Sequence, residues 1–262
     1  MNKLILPALR IAPRLLWSYL TWISSWNKKL DKIPLEKRYQ RVRKLLMKAN
    51  RYLHIDPHVE GKENIPSEGV CCFVSNHQGA VDPFTFFEIF EKPTCFVGKV
   101  EIEKMPFVGK IFRVAGGAFL DRDNLKQQLK VMMRVQDELR AGKCNWFIFP
   151  EGTRNKDQMA RLLPFHHGTF RTAMKAGVPI VPVVTHGSFR VLSSKCRCKK
   201  YPTFIKFLKP ITKEEYQNKT TEEISKMVQS MIQKELNFTI RKLDHEYMVK
   251  NNKKNYRFNQ II

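Results

Sequence analysis

The sequence predicts an α/β protein, a central mixed sheet flanked by helices, carrying an N-terminal amphipathic two-helix hairpin that associates with a membrane. Three observations predict it. From residue 70 onward, apolar runs of strand length alternate with helix-length periodic segments, the pattern of a sheet covered by helices. The first 55 residues instead concentrate cations and aromatics at helical spacing. With 43% hydrophobic and 11% aromatic residues, a chain of 262 residues carries enough apolar material for one main core plus an appendage. The expected organisation is a hairpin over 1–55, an α/β domain over 56–250 and a loosely held basic tail over 251–262, with no internal repeat and no long Pro/Gly/Ser linker.

Residues 1–51 hold 13 Lys and Arg against only Asp31 and Glu36, so they carry +11 of the chain's +23. That balance points to a polyanionic partner: nucleic acid, an anionic membrane surface or phosphorylated small molecules. After Pro13, which suits a first helical turn, Leu15, Leu16, Trp17, Tyr19, Leu20, Trp22, Ile23 and Trp26 make the segment apolar around most of its circumference. Arg10, Arg14, Ser18, Thr21, Ser25 and Lys28 recur every three or four residues and form one polar stripe. Between Arg14 and Lys28 there are too few uncharged residues for the roughly 20 that a spanning helix needs. A helix lying in the interface fits better, with Trp17, Trp22 and Trp26 at headgroup depth and cations toward anionic lipid. The plainer alternative is a helix packed on the domain core. Pro34 breaks the chain, and 35–53 resumes with Leu35, Tyr39, Val42, Leu46, Ala49 and Leu53 opposite a basic face, the second arm of the hairpin. Nothing resembles a cleaved signal peptide, so the expected location is a membrane, monotopic or peripheral on its cytoplasmic face.

Strands are expected at 70–75, 94–100, 117–120, 146–150, 179–185 and 204–208, all short and mostly apolar. Helices fill the gaps: 124–140 after a capping Asp123, a short one at 168–176, and one long or two shorter helices over 221–249. The six cysteines form no CxxC pair, and Cys71, Cys72 and Cys95 fall in apolar runs, which suits buried reduced thiols. Cys196 and Cys198, two sulfurs with no nearby histidine pair, make a poor zinc site, and no metal is expected.

Functional residues belong where strands give way to loops. In Ser75-Asn76-His77-Gln78-Gly79-Ala80-Val81-Asp82-Pro83, Asp82 and Pro83 read as the start of a helix, so the turn is able to bring the Asp82 carboxylate back to the His77 ring. A carboxylate on one imidazole nitrogen fixes the tautomer and raises basicity at the other. The competing reading is a capping aspartate beside an incidental histidine. In Phe149-Pro150-Glu151-Gly152-Thr153-Arg154, Gly152 permits close backbone approach, Thr153 offers a hydroxyl and Arg154 a planar fork suited to phosphate. An ordinary strand-to-loop turn with a surface arginine is the competing reading there.

Taken together, Asn76-His77 with Asp82 and the Phe149 to Arg154 block resemble the glycerolipid acyltransferase family. Two further blocks agree and stand in the family order: KVEIEKMPFVG at 99–109 followed by Gly117-Ala118-Phe119-Leu120-Asp121-Arg122, and Val178-Pro179-Ile180-Val181-Pro182-Val183. The resemblance spans roughly residues 60–210. It implies a general base at His77 with Asp82 as its partner, and glycerol-phosphate binding by Arg122, Glu151, Gly152, Thr153 and Arg154. It also implies transfer of an acyl group from an acyl thioester, acyl-CoA or acyl-carrier protein, to the sn-2 hydroxyl of 1-acyl-glycerol-3-phosphate (lysophosphatidic acid), giving phosphatidic acid with no bound cofactor. The thioester is already activated and no cysteine stands beside His77 in a local motif, so direct transfer is the simpler route. Two departures matter. Position 79 is Gly where the family often has Ser, and His166-His167 replace a lysine-rich sequence, so imidazole protonation would tune phosphate binding there.

The same cradle would serve another lysophospholipid or glycerol 3-phosphate as acceptor. A nucleic-acid-binding or non-catalytic membrane protein is the rival from another class. Against it, no helix-turn-helix, zinc-finger or aromatic RNA-binding signature occurs, and the charge gathers beside tryptophans. The absence of GxSxG and P-loop sequences argues against an α/β hydrolase and a nucleotide hydrolase.

Overall fold

A computed structural model describes residues 5–155, 162–193 and 198–251 of the chain. In chain order the elements are α1 (Ile5–Ser18), continued by a π-helical stretch at Tyr19–Ile23 and by α2 (Ser24–Asn27), then α3 (Leu35–Tyr52), β1 (Ile55–Glu60), β2 (Cys72–Ser75), α4 (Asp82–Ile89) and β3 (Thr94–Lys99). They continue with α5 (Val100–Glu103), α6 (Val108–Val114), β4 (Ala118–Leu120), α7 (Leu125–Arg140), β5 (Asn145–Ile148), α8 (Gly168–Ala176), β6 (Ile180–His186) and α9 (Phe189–Leu192). After β7 (Tyr201–Phe207) come α10 (Lys213–Tyr216), α11 (Thr221–Glu235) and, beyond a π-helical stretch at Leu236–Ile240, α12 (Arg241–Asn251). Apart from Asn251, the expected tail over 251–262 lies outside the described residues, as does Cys196.

The seven strands form one mixed sheet in the order β1-β7-β6-β2-β5-β3-β4. β6, β2, β5, β3 and β4 run parallel, whereas β7 is antiparallel to β6 and β1 is parallel to β7. Period-two alternation splits the side chains between two covered faces. Cys72, Val74, Trp146, Ile148, Ile180 and Val184 pack with Val135, Leu139, Phe170, Ile224 and Val228 from α7, α8 and α11. Phe73, Phe147, Val181, Val183, Ile205 and Phe207 pack on the other face with Tyr39, Val42, Leu46, Phe86 and Val114 from α3, α4 and α6. Local signals set the helix ends. The Asn124 side chain, rather than the expected Asp123, caps α7 by accepting the Gln127 N–H at 3.0 Å. Thr220 and Glu223 close a capping box on α11, and Gly177, at φ +76°, ends α8.

Two expectations change. β1 completes the sheet edge at a place where the sequence pattern predicts no strand. Pro57 interrupts its pattern, and proline is tolerated there because an edge strand leaves amides unpaired. The N-terminal helices also do not stand apart from the domain: Trp22 and Ile23 share the core of Tyr39, Phe73 and Phe86. Of the three tryptophans expected to face a membrane, Trp22 is therefore corrected to a core residue, 6% exposed. Its ring lies edge-on to the half-buried Trp26 at 5.2 Å, and the Arg41 guanidinium sits about 5 Å above both. Only Trp17, at 70%, is open, together with Leu16 and Leu20. A helix apolar around most of its circumference has two apolar faces to offer, and here the core takes one while solvent keeps the other.

Candidate active site

The loop after β2 is built to hold one imidazole. At its start the buried Asn76 side chain imitates a strand, donating to the Thr185 carbonyl and accepting the Thr185 N–H, both at 2.9 Å, which fixes the loop to β6. At its end Asp82, with Pro83 behind it, opens α4. One carboxylate oxygen, Asp82 Oδ2, accepts from the amides of Gln78 (2.9 Å) and Gly79 (3.0 Å) and faces His77 Nδ1 at 2.7 Å. Asp82 is buried, 1% exposed, and Oδ1 has no partner among the described residues. The His77 ring stacks on Phe149 with centroids 4.1 Å apart and remains 18% exposed. With Nδ1 turned to Asp82, its other nitrogen has no partner among the described residues and is not among the buried unpartnered atoms, so it is open to the site. A carboxylate held on one imidazole nitrogen in this way can orient the ring and raise the basicity of the other nitrogen.

The second loop clasps the first. His77 N–H donates to Glu151 Oε1 at 2.8 Å, and the His77 carbonyl accepts from Asn155 N–H at 2.9 Å. Glu151 Oε2 accepts from Leu163 N–H at 3.0 Å. Burial pushes the Glu151 carboxyl above its ordinary value, while the His77 and Leu163 amides pull the other way. The family resemblance places Glu151 among the phosphate-binding residues. Both of its oxygens are engaged by backbone amides, and a carboxylate repels phosphate, so it is corrected to a buried strut that sets the spacing of the two loops.

The cationic residues fall into two groups. Gly152, at φ +64°, leaves a gap where a Cβ would lie 3.2 Å from the His166 ring and 3.3 Å from an Arg122 guanidinium nitrogen. Arg122, Gly152 and the exposed His166 thus converge, and any side chain at position 152 would intrude between them. His167 turns away toward Thr221 Oγ1, 3.4 Å distant. Thr153 and Arg154 line a neighbouring cavity of about 310 Å³ with Gln78, Gly79, Asn155 and Ser188. Both exposed arginines border the His77 loop, Arg122 through Gly152 and Arg154 through that cavity, but the structure does not bring them into one contact.

Five contributors, Ser188, Gln78, His186, Arg190 and Asp244, escape sequence reasoning. Ser188 Oγ lies 2.6 Å from where a Cβ of Gly79 would be, so a hydroxyl from the turn after β6 occupies the space a side chain at 79 would need. The Gln78 side chain accepts Gly187 N–H at 3.0 Å through Oε1, and its Nε2 meets His186 Nδ1 at 3.2 Å. His186 Nε2 in turn meets Asp244 Oδ2 at 3.1 Å, and Asp244 pairs with both guanidinium nitrogens of Arg190. All of these side chains are buried. Burial alone would raise the Asp244 carboxyl, but His186 and Arg190 outweigh it and hold it below its ordinary value. The bond directions agree only with a neutral His186 that donates from Nε2 and accepts at Nδ1. No sequence motif announces this relay, because His186 and Asp244 lie 58 residues apart. Among the described residues no cluster of His, Cys, Asp and Glu is arranged to hold a metal ion.

Residues 56–186 match the family model described as Acyltransferase. Over 185 residues the chain is 29% identical to 1-acyl-sn-glycerol-3-phosphate acyltransferase of Saccharomyces cerevisiae, covering 68% of this chain and 58% of that one. Over 152 residues it is 33% identical to the chloroplastic 1-acyl-sn-glycerol-3-phosphate acyltransferase BAT2 of Brassica napus, covering 58% and 43% respectively. The matched stretch thus spans less than two thirds of these relatives. The crystal structure of the 1-acyl-sn-glycerophosphate (LPA) acyltransferase PlsC from Thermotoga maritima superposes with a TM-score of 0.67 at 25% identity, over 89% of this chain and 95% of that one.

Proposed function

The chain belongs to the Acyltransferase family, and from that premise we propose that it moves a fatty acyl group from an acyl thioester, acyl-CoA or acyl-carrier protein, to the sn-2 hydroxyl of 1-acyl-glycerol-3-phosphate. The single observation that carries this reading is the 2.7 Å contact of His77 Nδ1 with the buried Asp82 carboxylate, which leaves the other ring nitrogen open to the site. That nitrogen takes the hydroxyl proton as the oxygen attacks the thioester carbonyl. Asp82 stabilises the imidazolium that forms. As the tetrahedral intermediate collapses, the C–S bond breaks and the imidazolium returns its proton to the thiolate, so phosphatidic acid and free thiol leave a neutral histidine. A positioned base contributes roughly 10²- to 10⁴-fold.

Arg122 with His166 at the Gly152 gap, and Arg154 with Thr153 beside it, supply cations and donors for the acceptor phosphate. The lipid acceptor is met at a membrane, with the protein peripheral or monotopic on the cytoplasmic face. The exposed Leu16, Trp17 and Leu20 support that placement. No described helix is long and apolar enough to cross a membrane.

The test is thioester-dependent formation of phosphatidic acid from lysophosphatidic acid in mixed micelles, with both donors, for the wild type and His77→Ala. Turnover that collapses in the folded variant is the expected result. No turnover with either donor would overturn the reading, and turnover only with another lysolipid would move the acceptor while keeping the chemistry.

A further inference from the structure

Among the described residues, most large apolar side chains that stay exposed gather at two places, the end of α1 with the π-helical turn after it, and α7. Leu125, Leu129 and Met133 are 69%, 58% and 62% exposed, and their i, i+4, i+8 spacing aligns them in one row. This row is separate from the one that buries α7 on the sheet, where Val135 and Leu139 are 0% and 1% exposed. Isolated exposed apolar side chains are ordinary, but three in register form a patch of the kind that marks a contact surface. The exposed cations Lys126 and Lys130 run alongside the row.

The position of the row narrows its occupant. α7 starts at Leu125, directly beyond the end of β4 at Leu120, and β4 pairs in parallel with β3, which ends at Lys99. Met105, 50% exposed, follows β3 at this same end of the sheet. Phe107, two residues on, packs at 4.6 Å against Tyr19, the neighbour of the exposed Leu20. The loop carrying His77 follows β2, which is parallel to these strands, so Leu125, at the start of α7, lies at the same end of the sheet as the site, on the β4 edge three strands away, and the row runs back from there along α7. A row of aliphatics edged by lysines complements a bilayer with anionic headgroups. A second copy of a +23 chain would instead bring like charges together.

We propose that the Leu125, Leu129 and Met133 row of α7, with Lys126 and Lys130, is a second membrane-docking surface for an anionic bilayer, distinct from the exposed face of the N-terminal helix. It deepens the membrane placement above, and binding to substrate-free vesicles tests it independently of catalysis. Full-length protein is sedimented with vesicles of phosphatidylcholine containing phosphatidylglycerol and with vesicles of phosphatidylcholine alone.

Leu125→Ser/Leu129→Ser/Met133→Ser should lower partitioning onto the anionic vesicles by about tenfold or more, with an unchanged thermal transition. Lys126→Gln/Lys130→Gln should lower it severalfold on anionic vesicles and little on neutral ones. Trp17→Ser serves as the comparison. Loss of binding in Trp17→Ser with the α7 variants at wild-type level would overturn the α7 surface and leave the N-terminal contact standing. Wild-type protein that does not bind either vesicle would overturn both. If the serine variant bound vesicles normally but no longer associated with itself or with an acidic carrier protein, the row would be a protein interface and the proposal would fail.

Discussion

Replacing Asp82 by asparagine separates geometry from charge at His77, the proposed base. Asp82 Oδ2 faces three donors, His77 Nδ1–H and the amides of Gln78 and Gly79, while Oδ1 is buried with no partner among the described residues. The Asp82→Asn side chain can keep all three contacts only by placing its oxygen where Oδ2 sits, which pushes its NH2 into the Oδ1 position. The histidine therefore keeps its tautomer and loses the negative charge. With charge centres about 4 Å apart and an effective dielectric of about 20, that charge stabilises the imidazolium by about 4 kcal/mol. The loss corresponds to about 10³-fold in kcat. The stranded NH2 costs about 1 to 3 kcal/mol of stability, so the variant must first show a folded baseline by thermal or urea denaturation. The assay is phosphatidic acid formation at saturating acyl donor and lysophosphatidic acid. A folded Asp82→Asn within tenfold of wild-type kcat would refute the reasoning, because the buried carboxylate would then be contributing only its shape.

Other perturbations follow from the same geometry. Arg122→Ala should raise the KM for the acceptor about 10- to 100-fold with a smaller effect on kcat, the loss of a charge-assisted contact made equally in ground and transition states. Steady-state kinetics over acceptor concentration check it. Gly79→Ala would place a Cβ 2.6 Å from Ser188 Oγ and 2.9 Å from the Ser188 carbonyl carbon, at a cost of about 1 to 3 kcal/mol. Urea denaturation should show Ser188→Gly recovering only part of it, since the backbone clash persists. Asp244→Asn takes the paired carboxylate away from the buried Arg190 charge and should cost about 3 to 5 kcal/mol near neutral pH. Because the folded Asp244 carboxyl is held low, its contribution is present above the unfolded value of about 3.9 and lost as pH falls through the folded value. The gap between wild type and Asp244→Asn should therefore narrow only below about pH 4, as urea midpoints across pH will show. Trp22→Ala should lower stability by about 3 to 5 kcal/mol, whereas Trp17→Ala should leave it unchanged, by thermal denaturation.

The parts of this protein that are legible in its sequence share one property: their determinants lie close together in the chain. The buried strands announce themselves as apolar runs, and the His77 to Asp82 approach follows from a helix start a few residues past a strand end. β1 is hidden because Asp56, Pro57 and His58 break both its alternation and its β-propensity, and only pairing with Tyr201–Phe207 makes a strand of them. Trp22 is hard to place because its helix offers no single apolar face. Glu151 looks like a ligand because nothing local shows that its oxygens are taken by amides 74 residues before it and 12 residues after it. The Gln78, His186 and Asp244 relay is invisible for the same reason, being written in tertiary distance alone.

That relay changes what counts as a self-sufficient piece of the chain. The family match closes at His186, and a fragment covering residues 56–186 would contain every residue of both motif loops. It would lack Asp244, so His186 would lose the carboxylate that takes its Nε2 proton, and the tautomer that receives Gln78 would no longer be selected by that partner. It would also lack α3, leaving part of one sheet face wet. A nonsense codon anywhere between β7 and α12 would therefore reach the His77 loop from a distance, by removing the carboxylate that holds His186 and through it Gln78.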